Sequence, residues 1–333
     1  MDDILANFKR VHLCHQPTAL EEMPRLTKAL NGPRLWIKRD DCTGLATGGN
    51  KTRKLEFLMA DALEKKTDIV VTQGAVQSNH VRQTAAAACK LGLGCYALLE
   101  RRVPNRGKDY EQTGNVLFDR MFNTQIEFRP AGLDMNAEAK EATERLKSEG
   151  QNAYFIPGGG SNEIGALGYV SAAQELLQQC TTMQLDPKVV VLSTGSAGTH
   201  AGMIAGFHAL KCNIPILGIS VRQPEQLQIE SVYNLAVKTV AQLTDEPLPR
   251  EKVIVDDGYV GEGYGIPTET MIQATNMLAR NEGILVDPVY SGKGMAGLIG
   301  QIQSGQITSD GDVIFLHTGG APSLFAYEEQ FLA

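Results

Sequence analysis

The stretch Gly48-Gly49-Asn50-Lys51-Thr52-Arg53-Lys54-Leu55-Glu56 decides how the rest of the chain is read. Two glycines and an asparagine make a turn. Leu55, Leu58, Met59 and Ala62 recur behind it at helical spacing, so Lys51 falls at the start of a predicted helix running to residue 64. The positive end of a helix dipole favours the neutral form of an amine held there. A neutral, pre-positioned amine is what Schiff-base chemistry requires. Taken alone, the stretch is equally compatible with a surface lysine on an amphipathic helix, because a Gly-Gly-Asn turn has purely structural uses.

Outward from this turn the pattern alternates. Upstream, Met23 to Leu30 reads as helix and Leu35 to Arg39 as strand. Asp40-Asp41 ends that strand and reads as a loop cap rather than a paired-carboxylate site. Downstream, Asp68–Thr72, Cys95–Leu99, Gln125–Phe128 and Asn152–Ile156 read as strands. Val81–Leu91, Gly114–Phe122 and Met135–Glu149 read as the helices between them. Beyond Pro157-Gly158-Gly159-Gly160-Ser161-Asn162 a second block begins, with helices over Ile164–Gln179 and His200–Lys211. Its strands are Lys188–Ser193, Ile216–Ser220 and Asp312–Leu316. Such alternation predicts an α/β chain with helix-covered, mostly parallel sheets. We expect a large unit, 1–50 plus 166–333, and a small one, 51–165, with a ligand cleft at the strand C-termini.

Composition narrows the classes. A net charge of −7, from 31 Lys+Arg against 38 Asp+Glu, argues against a general nucleic-acid binder. No run approaches the roughly 18–20 apolar residues of a membrane span. The acidic start, Met1-Asp2-Asp3-Ile4, lacks a signal-peptide pattern, so a cytoplasmic protein is expected. The cysteines (Cys14, Cys42, Cys89, Cys95, Cys180, Cys212) and the histidines show no metal-ligand spacing, so no metal is expected. Cys89 and Cys95 read as buried thiols rather than a disulfide. His80 reads equally as a proton relay or as a helix-start side chain satisfied by backbone, and His317 is similarly open.

The turn Ser193 to Thr199 lies between an apolar strand and a helix, where backbone N–H groups and hydroxyls can cradle a phosphate. A plain tight turn explains it as well. A Schiff-base lysine and a phosphate cradle in one chain are, however, the two requirements of a single cofactor, pyridoxal phosphate.

The motifs Trp36-Ile37-Lys38-Arg39-Asp40-Asp41, Gly48-Gly49-Asn50-Lys51, Gln77-Ser78-Asn79-His80, Thr194-Gly195-Ser196, Asp287-Pro288-Val289-Tyr290 and Leu316-His317-Thr318-Gly319-Gly320 follow one another in order. The chain resembles the D-cysteine desulfhydrase/aminocyclopropane-carboxylate (ACC) deaminase family, and does so over essentially its whole length. That family is a branch of the tryptophan-synthase-β-like, fold type II pyridoxal-phosphate enzymes. The resemblance implies that Lys51 holds the cofactor as a Schiff base and then serves as base at Cα. Asn79 would hydrogen-bond the cofactor's phenolic oxygen. Gly195, Ser196, Ala197, Gly198 and Thr199, with Lys54 nearby, would carry the phosphate. Ser78, with the backbone of Gln77 and Asn79, would hold the substrate carboxylate, and Tyr264 and Tyr290 would flank the reacting carbons. Relatives of this kind are commonly homodimers acting on small amino acids.

Two positions separate branches of the family. ACC deaminases carry Glu after the Tyr of Pro-Val-Tyr and Leu in His-x-Gly-Gly, where this chain has Ser291 and Thr318. A carboxylate would keep the pyridine nitrogen protonated, whereas hydroxyls leave it neutral, a weaker electron sink suited to β-elimination. Ser291 and Thr318 therefore point to a lyase that expels sulfur. Arg101-Arg102, followed by Arg106 and Lys108, offers donors for an extra anionic group, which favours L-cysteate, with release of sulfite. A solvated basic loop is the plain reading of the same residues. D-Cysteine desulfhydrase is the alternative. An amino-acid racemase, an ACC deaminase and a non-catalytic amino-acid-binding protein stand further back.

Overall fold

The computed structural model describes residues 3–308 and 311–332, so Met1 and Asp2 of the acidic start lie outside the described residues. In chain order the elements begin β1 (Leu20–Glu22), α1 (Pro24–Leu30), β2 (Arg34–Arg39), α2 (Lys51–Glu64), β3 (Ile69–Ala75), α3 (Asn79–Lys90) and β4 (Gly94–Glu100). Then come α4 (Gly114–Met121), β5 (Gln125–Arg129), α5 (Met135–Ser148), β6 (Ala153–Phe155), α6 (Glu163–Met183), β7 (Pro187–Thr194) and α7 (Gly198–Ala209). The chain closes with β8 (Ile216–Ser220), α8 (Glu225–Val240), β9 (Ile254–Asp256), α9 (Glu269–Glu282), α10 (Ser291–Gln303) and β10 (Asp312–His317).

The strands form two sheets, a six-stranded one in the order β1-β2-β10-β7-β8-β9 and a four-stranded one in the order β5-β4-β3-β6. Every pairing is parallel except β1 with β2. Period-two alternation puts both faces of the larger sheet to use. Val190, Leu192, Ile314 and Leu316 face α6, α7 and α8, while Val191, Val313 and Phe315 face α1, α9 and α10. In the smaller sheet Val70 and Cys95 pack on α2 and α3, and Ile69, Val71, Tyr96 and Leu98 pack on α5.

Strand order reverses at β3 in one sheet and at β7 and β10 in the other. Parallel sheets open a crevice at such points, beyond the strand C-termini. The 76–78 turn leaves β3, the Gly195 turn leaves β7, and Thr318 follows β10.

α2 is tied to the larger sheet by charge. The Arg53 guanidinium, fully buried, donates to both oxygens of the fully buried Asp40 at 2.8 and 2.9 Å. It also reaches Glu175 of α6 at 2.9 and 3.1 Å. Buried Lys38 pairs with the same Glu175, and Tyr169 donates to Asp40 at 2.7 Å. Burial alone would raise the Asp40 carboxyl, but the Arg53 charge and its hydrogen bonds hold it below the ordinary carboxylate value. Asp40 is therefore half of a buried ion pair, and no side chain caps the turn it begins. The loop-cap expectation fails because a carboxylate this deep needs a cation more than it needs free N–H groups.

Other differences have local causes. Cys89, expected buried, is exposed near the end of α3, while Cys95 is buried, and both are free thiols. The sequence pattern passes over α8, α9 and α10. In α10, Gly292, Gly294, Gly297 and Gly300 weaken the helical signal, yet they let the helix lie close to the sheet. A Cβ on Gly297 would meet Ile219 at 2.6 Å. Strands β1 and β9 span three residues each, too short for alternation to register.

Replacing Arg53 by Ala leaves Asp40 and Glu175 buried without their cation. We expect a loss of about 3–5 kcal/mol in urea unfolding. A loss below about 1 kcal/mol, the range of surface pairs, would show that the network carries no such load.

Candidate active site

The cleft between the sheets holds about 280 Å³ and is lined by the ends of β3, β7 and β10, the start of α2 and the 157–161 loop. Lys51 lies within it at the first position of α2. Desolvation lowers its amine from the usual lysine value to about 8, against a smaller opposing effect of a hydrogen bond with Lys54. The amine is thus poised as the first turn suggested, although desolvation, rather than the helix dipole, is the leading cause.

The turn bearing Lys51 is a strained one. Ala46, Thr47, Gly48 and Gly49 all have positive φ, from 46° to 127°. Gly48 is unavoidable, because a Cβ there would fall on the carbonyl oxygen of Asp41. Arg82, buried in α3, clasps this turn through the Ala46 carbonyl, the Thr47 hydroxyl at 2.5 Å and the Gly48 carbonyl at 3.1 Å. Asn50 joins it to the rest of the cleft. Its backbone N–H donates to Thr318 O at 3.0 Å and its side chain to Thr199 Oγ1 at 2.8 Å.

Gly195, Ser196, Ala197 and Thr199 line the opposite wall, at the N-terminus of α7. Ser196 Oγ lies 3.0 Å from Ser161 Oγ, and Ser161 Oγ accepts the Gly198 N–H at 3.2 Å. Lys54 Nζ donates to Gly159 O at 3.0 Å, and a Cβ on Gly198 would stand 2.7 Å from it. Burial, reinforced by the Lys51 charge, pushes the Lys54 amine well below its ordinary value. Two amines, a helix N-terminus and two hydroxyls converge here, and among the described residues no carboxylate lines the cleft. That donor set fits a phosphate, and Lys51 on the facing wall fits the aldehyde of pyridoxal phosphate.

The remaining expected residues divide. Ser78 caps α3, accepting the Val81 N–H at 3.2 Å, and lines the cleft beside Asn79. Asn79 Oδ1 is held by Asn115 Nδ2 at 3.0 Å, which leaves its amide nitrogen as the donor. Tyr264, Tyr290, Arg102 and Thr318 also line the cleft. Gln77 does not. Its amide donates to Tyr110 O and Thr113 O and accepts from Asn115 N, so only its backbone stays near Ser78.

Ser291 does not line the cleft either. Its fully buried hydroxyl is taken up by Asp287 at 2.6 Å and by Gly319 O at 3.0 Å. The serine therefore fixes the start of α10, where Asp287 also accepts the N–H groups of Val289, Tyr290 and Ser291. Burial, with the nearby charges of Lys51 and Lys54, holds His80 well below the ordinary histidine value, and its Nε2 bonds Thr72 Oγ1 at 2.8 Å. His317 bonds Leu285 O at 3.0 Å and is also lowered by burial.

Of the basic loop, only Arg102 reaches the cleft. Arg101 is exposed and pairs with Glu111, Arg106 stacks over Tyr327, and Lys108 is exposed. Sequence reading missed Asn50 as a bridge, Ser161, and Arg222, an exposed cation of the cleft wall with no ion pair among the described residues. Only Ser161 had a signal, the glycine run before it.

Comparison with known proteins agrees with this geometry. Residues 11–319 match the pyridoxal-phosphate dependent enzyme family, and the chain belongs to it. It is 47% identical over 323 residues to a D-cysteine desulfhydrase of Klebsiella pneumoniae subsp. pneumoniae, covering 97% of each chain. The crystal structure of an ACC deaminase homologue superposes with a TM-score of 0.90 at 36% identity, covering 99% of this chain and 97% of that one. A fungal L-serine ammonia-lyase from Rhizomucor miehei, at 16% identity and a TM-score of 0.68, covers 97% of this chain and 98% of its own and shares the fold. The protein is a pyridoxal-phosphate enzyme of fold type II.

The lowered Lys51 amine gives a pH test. In cofactor-free protein, reductive methylation at Lys51, followed by mass spectrometry, should rise with pH and be half-maximal near about 8. A midpoint near 10.5, the unshifted value, would show that the cleft does not desolvate the amine.

Proposed function

We propose that this chain is a carbon–sulfur lyase that converts D-cysteine to pyruvate, ammonia and sulfide. The observation that carries the reading is the full-length similarity to a D-cysteine desulfhydrase, joined to a cleft built from the same motifs. The expectation of L-cysteate rested on the basic loop. Three of its four cations do not line the cleft, and the fourth, Arg102, is paired with Glu100.

When bound, pyridoxal phosphate supplies the electron sink that acidifies the substrate Cα–H. The chain's residues would do the rest. Gly195 to Thr199, with Lys54, would hold the phosphate, and Asn79 would donate to the ring's phenolic oxygen. Thr318 faces the cleft where Ser291 does not, so Thr318 is the hydroxyl available to the pyridine nitrogen. Ser78 and the N–H groups at the start of α3 would bind the substrate carboxylate. Lys51 would take the Cα proton, as a base whose conjugate acid lies near neutrality. Tyr264 and Tyr290 would stand over the departing sulfur.

Segments 51–165 and 1–50 plus 166–333 would act as two units meeting at the cleft, with α6 crossing the later boundary. A cytoplasmic homodimer fits a chain in which Leu117 and Met121 of α4 and Phe325 of the neighbouring turn are exposed. No helix among the described residues is long and apolar enough to cross a membrane. A second reading, L-cysteate, keeps one observation in its favour, the unpaired Arg222 at the cleft wall.

Cofactor-loaded protein offered D-cysteine and L-cysteate side by side should release sulfide and pyruvate from D-cysteine. Lys51→Ala should lose the visible band of the bound cofactor and at least about 10³-fold of the rate, since it removes an attachment point and a base together. Sulfite from L-cysteate, with little product from D-cysteine, would overturn the reading.

A further inference from the structure

Arg102 has neighbours that the substrate role does not explain. Its Nε donates to Glu100 Oε2 at 2.7 Å, and a second guanidinium nitrogen pairs with the same oxygen. Glu100 is itself fixed. It ends β4, is 4% exposed, and its other oxygen accepts the Gly132 N–H at 3.0 Å. Held this way, the Arg102 guanidinium carbon lies 5.0 Å from the centroid of the Tyr264 ring. The Tyr264 and Tyr290 hydroxyls are 2.5 Å apart, with ring centroids 5.6 Å apart and planes at 73°. In such a bond one hydroxyl donates and the other accepts, and the acceptor's own proton is left for another partner.

We propose that Arg102 is a positioning residue that acts through Tyr264: anchored by Glu100 against the ring, it sets the direction of the tyrosine pair so that Tyr290 donates, Tyr264 accepts, and the Tyr264 O–H turns to the cleft. A cation beside a phenol stabilises negative charge on its oxygen, and so does a hydrogen bond received there. Both act on Tyr264. Burial raises the Tyr264 phenol from its ordinary value, while Arg102 and the bond from Tyr290 pull it back. Asp287 adds to the rise and Arg222 opposes it. Tyr290 is pushed well above the ordinary value by burial, by the nearness of Tyr264 and by its hydrogen bond with Tyr264, with Asp287 adding to the rise and Arg102 opposing it. Tyr110 and Tyr327, also near Tyr264, are themselves raised by burial, and Lys293, whose Nζ donates to Gly263 O at 2.9 Å, is lowered by burial to about 8. Two like groups driven apart by their surroundings mark which of them exchanges its proton, here Tyr264.

The inference rests on the cleft being the catalytic site, but its test requires no turnover. Cofactor-loaded protein labelled with ¹³Cζ-tyrosine is titrated by NMR without substrate, and Tyr264→Phe and Tyr290→Phe assign the two resonances. Tyr264 should ionise at lower pH than Tyr290. Arg102→Gln should move its midpoint up by about 1–3 pH units, the effect of losing an opposite charge at such a distance. Arg102→Lys should move it less, and Tyr290→Phe should also move it up. A Tyr264 midpoint unchanged in Arg102→Gln, or one that falls or stays put in Tyr290→Phe, overturns the proposal. So does a KM increase in Arg102→Gln that is confined to L-cysteate, which would return Arg102 to the substrate. If instead neither sulfur substrate is turned over while the phenol midpoints shift as stated, the proposed reaction fails and the role of Arg102 stands.

Discussion

The pairing of Arg53 with Asp40 and Glu175 governs the geometry of the whole cleft. Arg53 lies two residues after Lys51 and one before Lys54 on α2. At 3.6 residues per turn, positions 51 and 54 share a face, and position 53 points elsewhere. The ion pair draws that other face onto β2 and α6, so the two lysines are left facing the opposite way, into the cleft. Two cations, Arg53 and Lys38, meet two anions, Asp40 and Glu175, with little exposure to solvent. Such a set holds one arrangement strongly, because any member displaced alone strands a buried charge.

Around Lys51 the molecule accepts local strain and offsets it with long-range clasps. Positive φ at Ala46 and Thr47 is unfavourable for residues with a Cβ. Arg82 binds both of them and Gly48, Gln83 accepts the Thr52 N–H at 3.0 Å, and Asn50 fastens the turn to β10 and α7. The turn bearing Lys51 is therefore held from α3, α7 and the residue after β10 at once, and preorganised groups lose little on binding.

Much of this was legible in the chain, and the parts that were not share a cause. Lys51 after Gly-Gly-Asn, and the Gly195–Thr199 turn after an apolar strand, are local signals, because turn, helix start and chemistry lie within a few residues of one another. The sheet alternation was legible for the same reason. What was not legible depended on which partner each side chain takes up in the folded chain. Asp40 looked like a cap because its partners Arg53 and Tyr169 come 13 residues or more later. Ser291 reads as a cofactor contact in the sequence, which does not show that Asp287, one helical turn before it, and Gly319 take up its hydroxyl. The basic loop looked like an anion site because Glu111, Glu100 and Tyr327, which engage three of its cations, come later or lie just before it.

The position of β10 has a consequence for how the chain is made. It lies between β2 and β7, in register with both, yet it comes last in chain order among the described strands. On the ribosome, β2 emerges early and has no neighbour on that side until every element from α2 to α10 has been synthesised. At the usual pace of translation this interval is on the order of tens of seconds. The strands β3 to β6 are contiguous in the sequence and can assemble during it. The larger sheet, and with it the wall formed by Thr318, is completed only once β10 has emerged, so a nascent chain cannot close its cleft, nor hold its cofactor, before that strand is made.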